Sequence, residues 1–473
     1  MKRILFGVVV LLTLLSLVVL PASAQTISPW ATGVDLQNLT DTATPYHLEF
    51  YKADGTLAYT YDSTTNLAAR GAANVYIPNL TSLPAGQYSL VVSSEMLVAA
   101  VASLNSYSAS NPEFGGGDIY LGTANPANTL IFPLAYRNHT VRKWFSTLEV
   151  QNASGTAQNV TLNLYNSGSS AVAYSKTVSL PGNATYPFNL EDTEYAAFGP
   201  FGSAVVTGSA PLAGVAFSLT KGRMTNPSTN YLDTMNTQYR AFTADQLGKD
   251  VVAPLVYRNF NQWTTGINVV NNSAASTQVT VTYVNANPAV SGGPWTETKP
   301  VGANGMEVFY TPSTAGLPDN FFGSATIHSD SANIAVVVAS QRYRTSGAEG
   351  VAYEGQISTA ATKCVSLPVS HNRTTWKTGI NLLNLGGSEN TVTLNYYSSA
   401  TGIPNAGPQT IAIPANSPKT IYMPTDSPTT VGFYGAVDIK GTQELLVVAA
   451  NSRSDTTSHG VASNYVGVNY TCP

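Results

Sequence analysis

The sequence predicts an all-β protein, a tandem array of four antiparallel β-sandwiches, on three observations. A nine-residue phrase that begins with tryptophan occurs four times, apolar and polar residues alternate after each phrase, and no 12-residue stretch beyond the N-terminal leader has helical periodicity. The phrases are WATGVDLQN (30–38), WFSTLEVQN (144–152), WTTGINVVN (263–271) and WKTGINLLN (376–384). One module therefore spans about 110 residues, the size of a small sandwich domain.

The alternation inside each phrase predicts one strand, and the same pattern repeats in a second strand centred ten residues later. Roughly seven short strands in about 110 residues are typical of an Ig-like sandwich. The module boundaries are expected in the polar stretches 105–128, 221–248 and 343–362. For 221–248, folding over the sandwich is the alternative to a plain linker. The predicted organisation is a signal peptide at 1–24 and β-sandwiches at 25–125, 126–245, 246–360 and 361–473.

The N-terminal leader has the pattern of a cleaved signal peptide. Two basic residues open the chain, an apolar run follows to Leu20, and Ala22-Ser23-Ala24 is a small-residue cleavage motif. Cleavage is therefore expected before Gln25, and the protein is expected to be secreted, extracellular or at the cell surface. An uncleaved anchor is the alternative, since the run is of marginal length for a membrane span. No later stretch approaches 18 apolar residues, so no transmembrane segment is expected in the mature chain.

The charge composition excludes two classes of partner. Charged residues make up 10% of the chain, against about 25% in average soluble domains. The net charge is −4 with 22 basic and 26 acidic residues, and it becomes −6 without Lys2 and Arg3. Nucleic-acid binding needs a basic footprint, and an electrostatic membrane patch needs a basic cluster. The sequence therefore predicts neither.

The first sandwich is expected to lack an edge strand. A short apolar strand precedes the other three tryptophan phrases, around 131–136, 251–257 and 365–369, whereas only Gln25–Pro29 precede Trp30 in the mature chain. An unpaired edge is a template for another strand. Either a loop of the same chain covers it, or another chain does and the protein self-associates.

The five tryptophans receive two interpretations. Trp30, Trp144, Trp263 and Trp376 are expected to be buried core markers, because they stand just before an inward-facing strand; sugar stacking is the alternative. Trp295 lies in a turn-rich loop and has no counterpart in the other modules, so it is a candidate ligand contact. Anchoring of its own loop is the alternative.

The two cysteines, Cys364 and Cys472, bracket the last module. In an exported chain such a pair predicts a disulfide that joins the first and last strands of that module. Closing a loop of this length stabilises the folded state by up to about 4–5 kcal/mol on the chain-entropy model.

No catalytic, cofactor or metal site is predicted. The five histidines occupy unrelated module positions, and the motifs HExxH, GxSxG and the P-loop are absent from the sequence. One residue at the same place in each tryptophan phrase is expected to face outward: Asp35, Glu149, Asn268 and Asn381. Only two of the four are charged, so no catalytic role is expected of this position. A Tyr-Arg-Asn phrase at 136–138 and 257–259, matched to Ser370-His371-Asn372, is expected to make contacts at the module junctions.

The segment TGINVVNNSAASTQVTVTYV (266–285) resembles the opening hairpin of Ig-like modules in bacterial surface proteins, of the cell-adhesion-related, CARDB-like type. The resemblance implies an extracellular spacer or adhesive role without an active site. The predicted function is therefore a secreted, non-enzymatic structural or adhesion protein, with cell-surface polymers or glycans as partners. A carbohydrate-binding array is the alternative, and a secreted hydrolase is a distant third.

Overall fold

The computed structural model describes residues 30–106, 116–221, 235–344, 347–453 and 461–472. In these ranges the chain is mostly β-strand, the strand pairs are antiparallel, and the longest helix is the four-residue α1 (Met423–Asp426). The all-β prediction is confirmed. The predicted signal peptide lies outside the described residues. No helix in the described ranges is long and apolar enough to cross a membrane.

The strands fall into four groups, each built around one tryptophan strand. Group 1 contains β1 (Trp30–Asn38), β2 (Tyr46–Tyr51), β3 (Leu57–Asp62), β4 (Ala72–Tyr76), β5 (Ser89–Ser94), β6 (Val98–Ser106) and β7 (Gly116–Leu121). Group 2 contains β8 (Ala127–His139), β9 (Trp144–Asn152), β10 (Gln158–Asn166), β11 (Val172–Leu180), β12 (Thr185–Asn189), β13 (Phe201–Thr220) and β14 (Asn236–Arg240).

The other two groups follow the same order. Group 3 contains β15 (Asp250–Phe260), β16 (Trp263–Asn271), β17 (Thr277–Asn285), β18 (Trp295–Val301), β19 (Met306–Tyr310), β20 (Phe321–Ser329), β21 (Ile334–Arg344), β22 (Gly347–Glu354) and β23 (Gln356–Ile357). Group 4 contains β24 (Thr362–Asn372), β25 (Trp376–Asn384), β26 (Asn390–Ser398), β27 (Pro404–Ile413), β28 (Pro418–Tyr422), β29 (Phe433–Arg453), β30 (Ala462–Val466) and β31 (Val468–Tyr470). Short 3-10 turns occur at Ile77–Asn79, Thr193–Tyr195, Ala244–Gln246, Thr311–Ser313 and Ser358–Ala360.

Groups 2 to 4 share a two-layer strand order. In group 2 the first layer is β11-β10-β13-β8 and the second is β12-β9-β13-β14, because the 20-residue β13 pairs with β10 and β8 through its first half and with β9 and β14 through its second. The inward residues Val160, Leu162 and Leu164 of β10 have no exposed surface, whereas the threonines and asparagines between them face out. Alternation of apolar and polar residues thus positions the core of each sandwich.

Group 1 differs in its first layer. Its strands form two separate sheets, β3-β2-β5 and β4-β1-β6-β7, and β5 pairs only with β2 among the described strands. The position held by β8, β15 and β24 in the other groups is not filled by a described residue of group 1. The residues before Trp30, where the sequence predicts that a strand is missing, lie outside the described ranges.

The asparagine that closes each tryptophan phrase explains why the phrase ends the same way four times. The amide Nδ2 of Asn271 donates to the carbonyl oxygens of Ala275 (2.7 Å), Val301 (3.3 Å) and Gly302 (2.9 Å). The other three asparagines make the same set of bonds, and all four side chains are fully buried. This amide caps the end of the strand, a structural task, because buried carbonyls need donors.

One strand near the end of each group contacts its counterparts in two other groups. β7 contacts β14, β14 contacts β22, β22 contacts β30, and β30 returns to β7. The groups therefore close into a ring. β7, β14 and β22 lie inside the polar stretches where the module boundaries are expected. The carboxylates of Asp118 on β7 and Glu354 on β22 accept backbone N–H groups of β14.

Packing between groups buries the second face of several tryptophan strands. β8 packs on β16 and β21, β15 on β25 and β29, and β24 on β1 and β6. The expectation that Asp35, Asn268 and Asn381 face outward is therefore wrong: each is less than 5% exposed. A neighbouring group covers the face that an isolated sandwich would leave in water.

The predicted disulfide is present between Cys364 and Cys472, with the Cα atoms 5.3 Å apart. Cys364 lies on β24, which pairs with β31 immediately before Cys472. The bond joins the first and last strands of group 4, and both cysteines pack beside Leu39 and Ala99 of group 1. It therefore stabilises the strand that packs on group 1.

Candidate functional site

Each tryptophan of the repeated phrase lies at a junction between groups. Trp144 packs with Ala348 of group 3, Trp263 with Ala462 of group 4, and Trp30 places its ring edge-on to Phe217 of group 2 at 5.2 Å. Trp144 and Trp263 are 5% and 9% exposed, but Trp30 is 37% exposed and Trp376 is half-buried. The expectation that Trp30 is buried is wrong. Its ring packs at the junction between groups and not in the core of its own sandwich.

The junction of group 4 with group 1 contains a cleft of about 240 Å³. One wall is aromatic and cationic, and the other is built from amide, hydroxyl and carboxyl side chains. Group 4 contributes His371, Arg373, Trp376, Tyr434 and Ser463, and group 1 contributes Asn74, Tyr76, Ser103, Asn105 and Asp118. Such a mixture of rings and polar groups is what orients a small polar ligand.

A hydrogen-bond network joins the two walls at Asp35. The carboxylate accepts from Asn74 Nδ2 at 2.9 Å, from Ser103 Oγ at 3.2 Å and from the Tyr434 hydroxyl of group 4. Asn74 Nδ2 also donates to Tyr434 Oη at 2.9 Å. Burial raises the pKa of Asp35 to about 6, although the three donors act in the opposite direction. The charge at this junction therefore changes in a mildly acidic range.

His371 forms the middle of an aromatic stack on the group 4 wall. Its ring lies 5.2 Å from Trp376 and 5.0 Å from Tyr434, close to parallel with both. The side chain is 8% exposed, and no residue that the structure describes bonds its Nδ1. Burial lowers the pKa of His371 to about 3, with a smaller contribution from Arg373. The imidazole is therefore neutral at pH 7 and offers an unused polar atom.

Arg373 supplies the positive charge at the mouth of the cleft. It is exposed, and its guanidinium lies 6.0 Å from the centre of the Tyr434 ring. Because arginine presents several donors in a planar fork, it suits a carboxylate or paired hydroxyls. Tyr76, 46% exposed, forms the opposite lip. The mouth thus favours a neutral or acidic ligand.

Asp118 lies deeper, where the four central strands meet. Its carboxylate accepts from the backbone N–H of Gln238 at 2.6 Å and of Ile119 at 2.9 Å, and also from Ala352 and Asn464. One amide comes from each group, and the side chain is 1% exposed. Burial raises the pKa of Asp118 well above its usual range, against the effect of the amides. Its role is to close the ring.

The match of Ser370-His371-Asn372 to the Tyr-Arg-Asn phrase is wrong by one residue. The backbone N–H of His371 donates to Thr378 Oγ1, as that of Tyr257 does to Thr265 Oγ1 and that of Tyr136 to Ser146 Oγ. His371 is thus equivalent to the two tyrosines of the Tyr-Arg-Asn phrase. The expected junction contact of the arginine is wrong for Arg258, which bonds Thr314 and Asp319 of its own group.

Trp295, the candidate ligand contact, lies outside the cleft. It is half-buried, meets Phe321 edge-on at 5.7 Å and packs against the core of group 3. The expected loop position is wrong, because Trp295 is the first residue of β18 and pairs with Tyr283 of β17.

The described residues contain no group of three or more His, Cys, Asp or Glu side chains that could hold a metal ion. Exposed His–carboxylate pairs among these residues are His47 with Asp62 and His328 with Asp250, each at 2.6 Å, and His328 with Asp330 at 3.8 Å. All of these pairs lie outside the cleft. The cleft itself pairs a carboxyl with a tyrosine and amides, an arrangement suited to binding.

Comparison with known proteins adds little to this picture. Residues 19–194, a little over a third of the chain, match a protein family of unknown function (DUF5719). No Ig-like or CARDB family is identified, and no curated protein matches. Among solved structures, Salmonella alpha-2-macroglobulin reacted with methylamine is 11% identical with a TM-score of 0.15, over 93% of this chain and 28% of that chain. A likeness at that level carries no argument.

Proposed function

We propose that the protein is an exported, non-enzymatic adhesion protein of four Ig-like, CARDB-like modules that binds one sugar unit of a surface polymer in the cleft between groups 4 and 1. The leader, the low charge and the resemblance of 266–285 to surface-protein modules support export and adhesion. The cleft supports the ligand, and it is the observation that carries the proposal.

The chemistry of the cleft favours a sugar over other small ligands. Trp376 and Tyr76 offer apolar rings to the face of a sugar ring, while Asn74 and Asn105 offer amides to its hydroxyls. Drug-sized ligands occupy pockets of roughly 300–1,000 Å³. The smaller cleft of 240 Å³ suits a single unit, with the rest of the polymer outside. Arg373 favours a unit that carries a carboxylate.

A titration with monosaccharides tests this function. We expect a uronic acid to bind more tightly than the matching neutral hexose, and Arg373→Gln to remove that preference. Lys419→Gln is the matched control, because Lys419 is exposed on β28 and outside the cleft, and it carries the same charge. Equal affinity of the wild type and Trp376→Ala for every sugar would contradict a cleft site. A protein that binds no sugar at all would leave a purely structural role.

A further inference from the structure

We propose that Asp35 sets the specificity of the cleft: its carboxylate holds the hydrogens of three lining side chains, which can therefore only accept hydrogen bonds from a ligand. The three are Asn74, Ser103 and Tyr434. Asp35 has no exposed surface and does not line the cleft itself, so it acts as a positioning residue. This role rests on the proposed function and names the feature of a sugar that the cleft reads.

Every polar hydrogen of the three side chains has a partner inside the junction. Asn74 donates one N–H hydrogen to Asp35 and the other to the Tyr434 hydroxyl, each at 2.9 Å. Tyr434 and Ser103 each have one hydroxyl hydrogen, and both donate it to the Asp35 carboxylate. Only oxygen lone pairs remain for a ligand, on Asn74 Oδ1, Ser103 Oγ and Tyr434 Oη.

The ionised carboxylate is what fixes this pattern. A carboxylate only accepts hydrogen bonds, so the Asn74 amide cannot turn its oxygen toward Asp35 without facing oxygen against oxygen. A hydroxyl that turned its hydrogen away would likewise leave a buried carboxylate oxygen short of a donor. A protonated Asp35 has a hydrogen of its own, which it donates to the Ser103 or Tyr434 hydroxyl. That hydroxyl then turns its hydrogen toward the cleft.

A ligand therefore has to donate hydrogen bonds at this place while Asp35 is ionised. A sugar hydroxyl does so, whereas a methyl ether at the same position has an oxygen without a hydrogen. The ether oxygen faces acceptor oxygens and loses its hydrogen bond, which costs about tenfold in affinity. Once a cleft hydroxyl is free to donate, the ether regains a partner and the penalty falls.

Asp35 changes its charge in a range where the aromatic groups that face it do not. Burial raises the pKa of Asp35 to about 6, so the acceptor pattern is present at pH 7.5 and largely lost at pH 5. Burial raises the pKa of Tyr434 and of Tyr465 well above the usual range, so both stay neutral. The pKa of His371 is about 3, so its ring is also neutral at both pH values.

Two further charged groups lie along the cleft. Arg373 at the mouth carries its positive charge at both pH values. Asp118 at the inner end is a carboxyl whose pKa is raised by burial, so it is the other group that can change charge as the pH falls. A variant at position 35 separates the two carboxyls, because it leaves Asp118 in place.

The test compares the methyl glycoside of glucuronic acid with its three mono-O-methyl ethers by titration calorimetry. At pH 7.5 at least one ether should bind the wild type about tenfold more weakly than the parent sugar. Asp35→Asn should reduce this ratio to about threefold or less, since one amide oxygen accepts two hydrogen bonds at most and three donors surround it. The wild-type ratio should fall likewise at pH 5, whereas the ratio of Asp35→Asn should not change with pH.

Glu149→Gln is the matched control. Glu149 holds the same place in the tryptophan phrase of group 2, lies outside the cleft and has a pKa that burial also raises. Its variant should keep the wild-type ratio and pH profile. Tyr434→Phe is a second variant: it keeps the ring and deprives the second Asn74 hydrogen of its acceptor. That hydrogen then serves the ligand, so this variant should also lower the ratio, even where Asp35→Asn does not fold.

Four results would overturn the role of Asp35. The ratio of the wild type could be one for every ether, or it could stay the same in Asp35→Asn and Tyr434→Phe. A pH dependence that persists in Asp35→Asn would assign the effect to Asp118. In these three cases sugar binding itself stands. A wild type that binds none of the four sugars at either pH would overturn the proposed function together with this role.

Discussion

The junction of groups 2 and 3 and the junction of groups 4 and 1 use the same strands but differ in their side chains. At the first, the Tyr136 ring packs against Trp144 at an angle of 34°, and group 3 presents Val308 and Ala339, so apolar side chains occupy the space. At the second, His371 replaces the tyrosine, and group 1 presents Asn74 and Ser103 at the equivalent positions.

The comparison shows how one scaffold can seal one junction and open another. Smaller and polar residues at a few positions leave a cleft, and the backbone geometry needs no change. The buried carboxyl of Asp35 takes the place of Asn268, so this junction carries an ionisable group where the other carries an amide. The following predictions separate packing, charge and ligand contact at these two junctions.

The largest effect on stability is expected at the sealed junction. Trp144→Ala should lower the free energy of unfolding by about 3–5 kcal/mol, since a buried tryptophan leaves a large cavity. Trp30→Ala is the control and should cost about 1 kcal/mol or less, because its ring is 37% exposed. Denaturant unfolding measures both. Equal losses would mean that Trp30 is covered in solution.

Asp35→Asn should stabilise the protein at neutral pH. The pKa of Asp35 is raised to about 6 by burial, so the folded chain keeps a proton that the unfolded chain releases above pH 4. Stability is therefore lost as the pH rises from about 4 to about 6. The variant should exceed the wild type by about 3 kcal/mol at pH 7 and match it near pH 4. A difference independent of pH would contradict this assignment.

His371→Tyr should protect the protein against acid, so its effect on stability has the opposite pH dependence to that of Asp35→Asn. Burial lowers the pKa of His371 to about 3, so only the unfolded chain takes up a proton as the pH falls below 6.5. Stability supplied by the neutral imidazole is lost through this range. At pH 4.5 the variant should gain about 2–3 kcal/mol relative to its difference at pH 7. Chemical denaturation at the two pH values checks the sign.

Arg373→Gln should have the smallest effect on stability. The side chain is exposed and its ring contact is distant, so the change should stay within about 0.5 kcal/mol. The same variant should lose affinity for an acidic sugar. A large fall in stability would place the guanidinium in a structural contact instead.

The sequence predicted the parts of this fold that depend on local pattern. Strand positions follow from the alternation around Leu162 and Val281, and the disulfide from two cysteines at the ends of group 4. It did not predict the ring. The polar strands β7, β14 and β22 lack that alternation, and strands of other groups contact them. Asp118 bonds amides from four distant segments, and no sequence spacing reveals that arrangement.

The sequence did not predict the candidate site for the same reason. Asp35 resembles a solvent-facing residue until group 4 covers it, and His371 was matched to the wrong position since the turn before Trp376 is shorter than the others. The sequence by itself determined the strands and their inward residues, because these depend on neighbours along the chain or within one hairpin. Only the tertiary structure decided which faces meet, where a carboxyl loses its water and where a cleft stays open, because burial between distant segments depends on all of them at once.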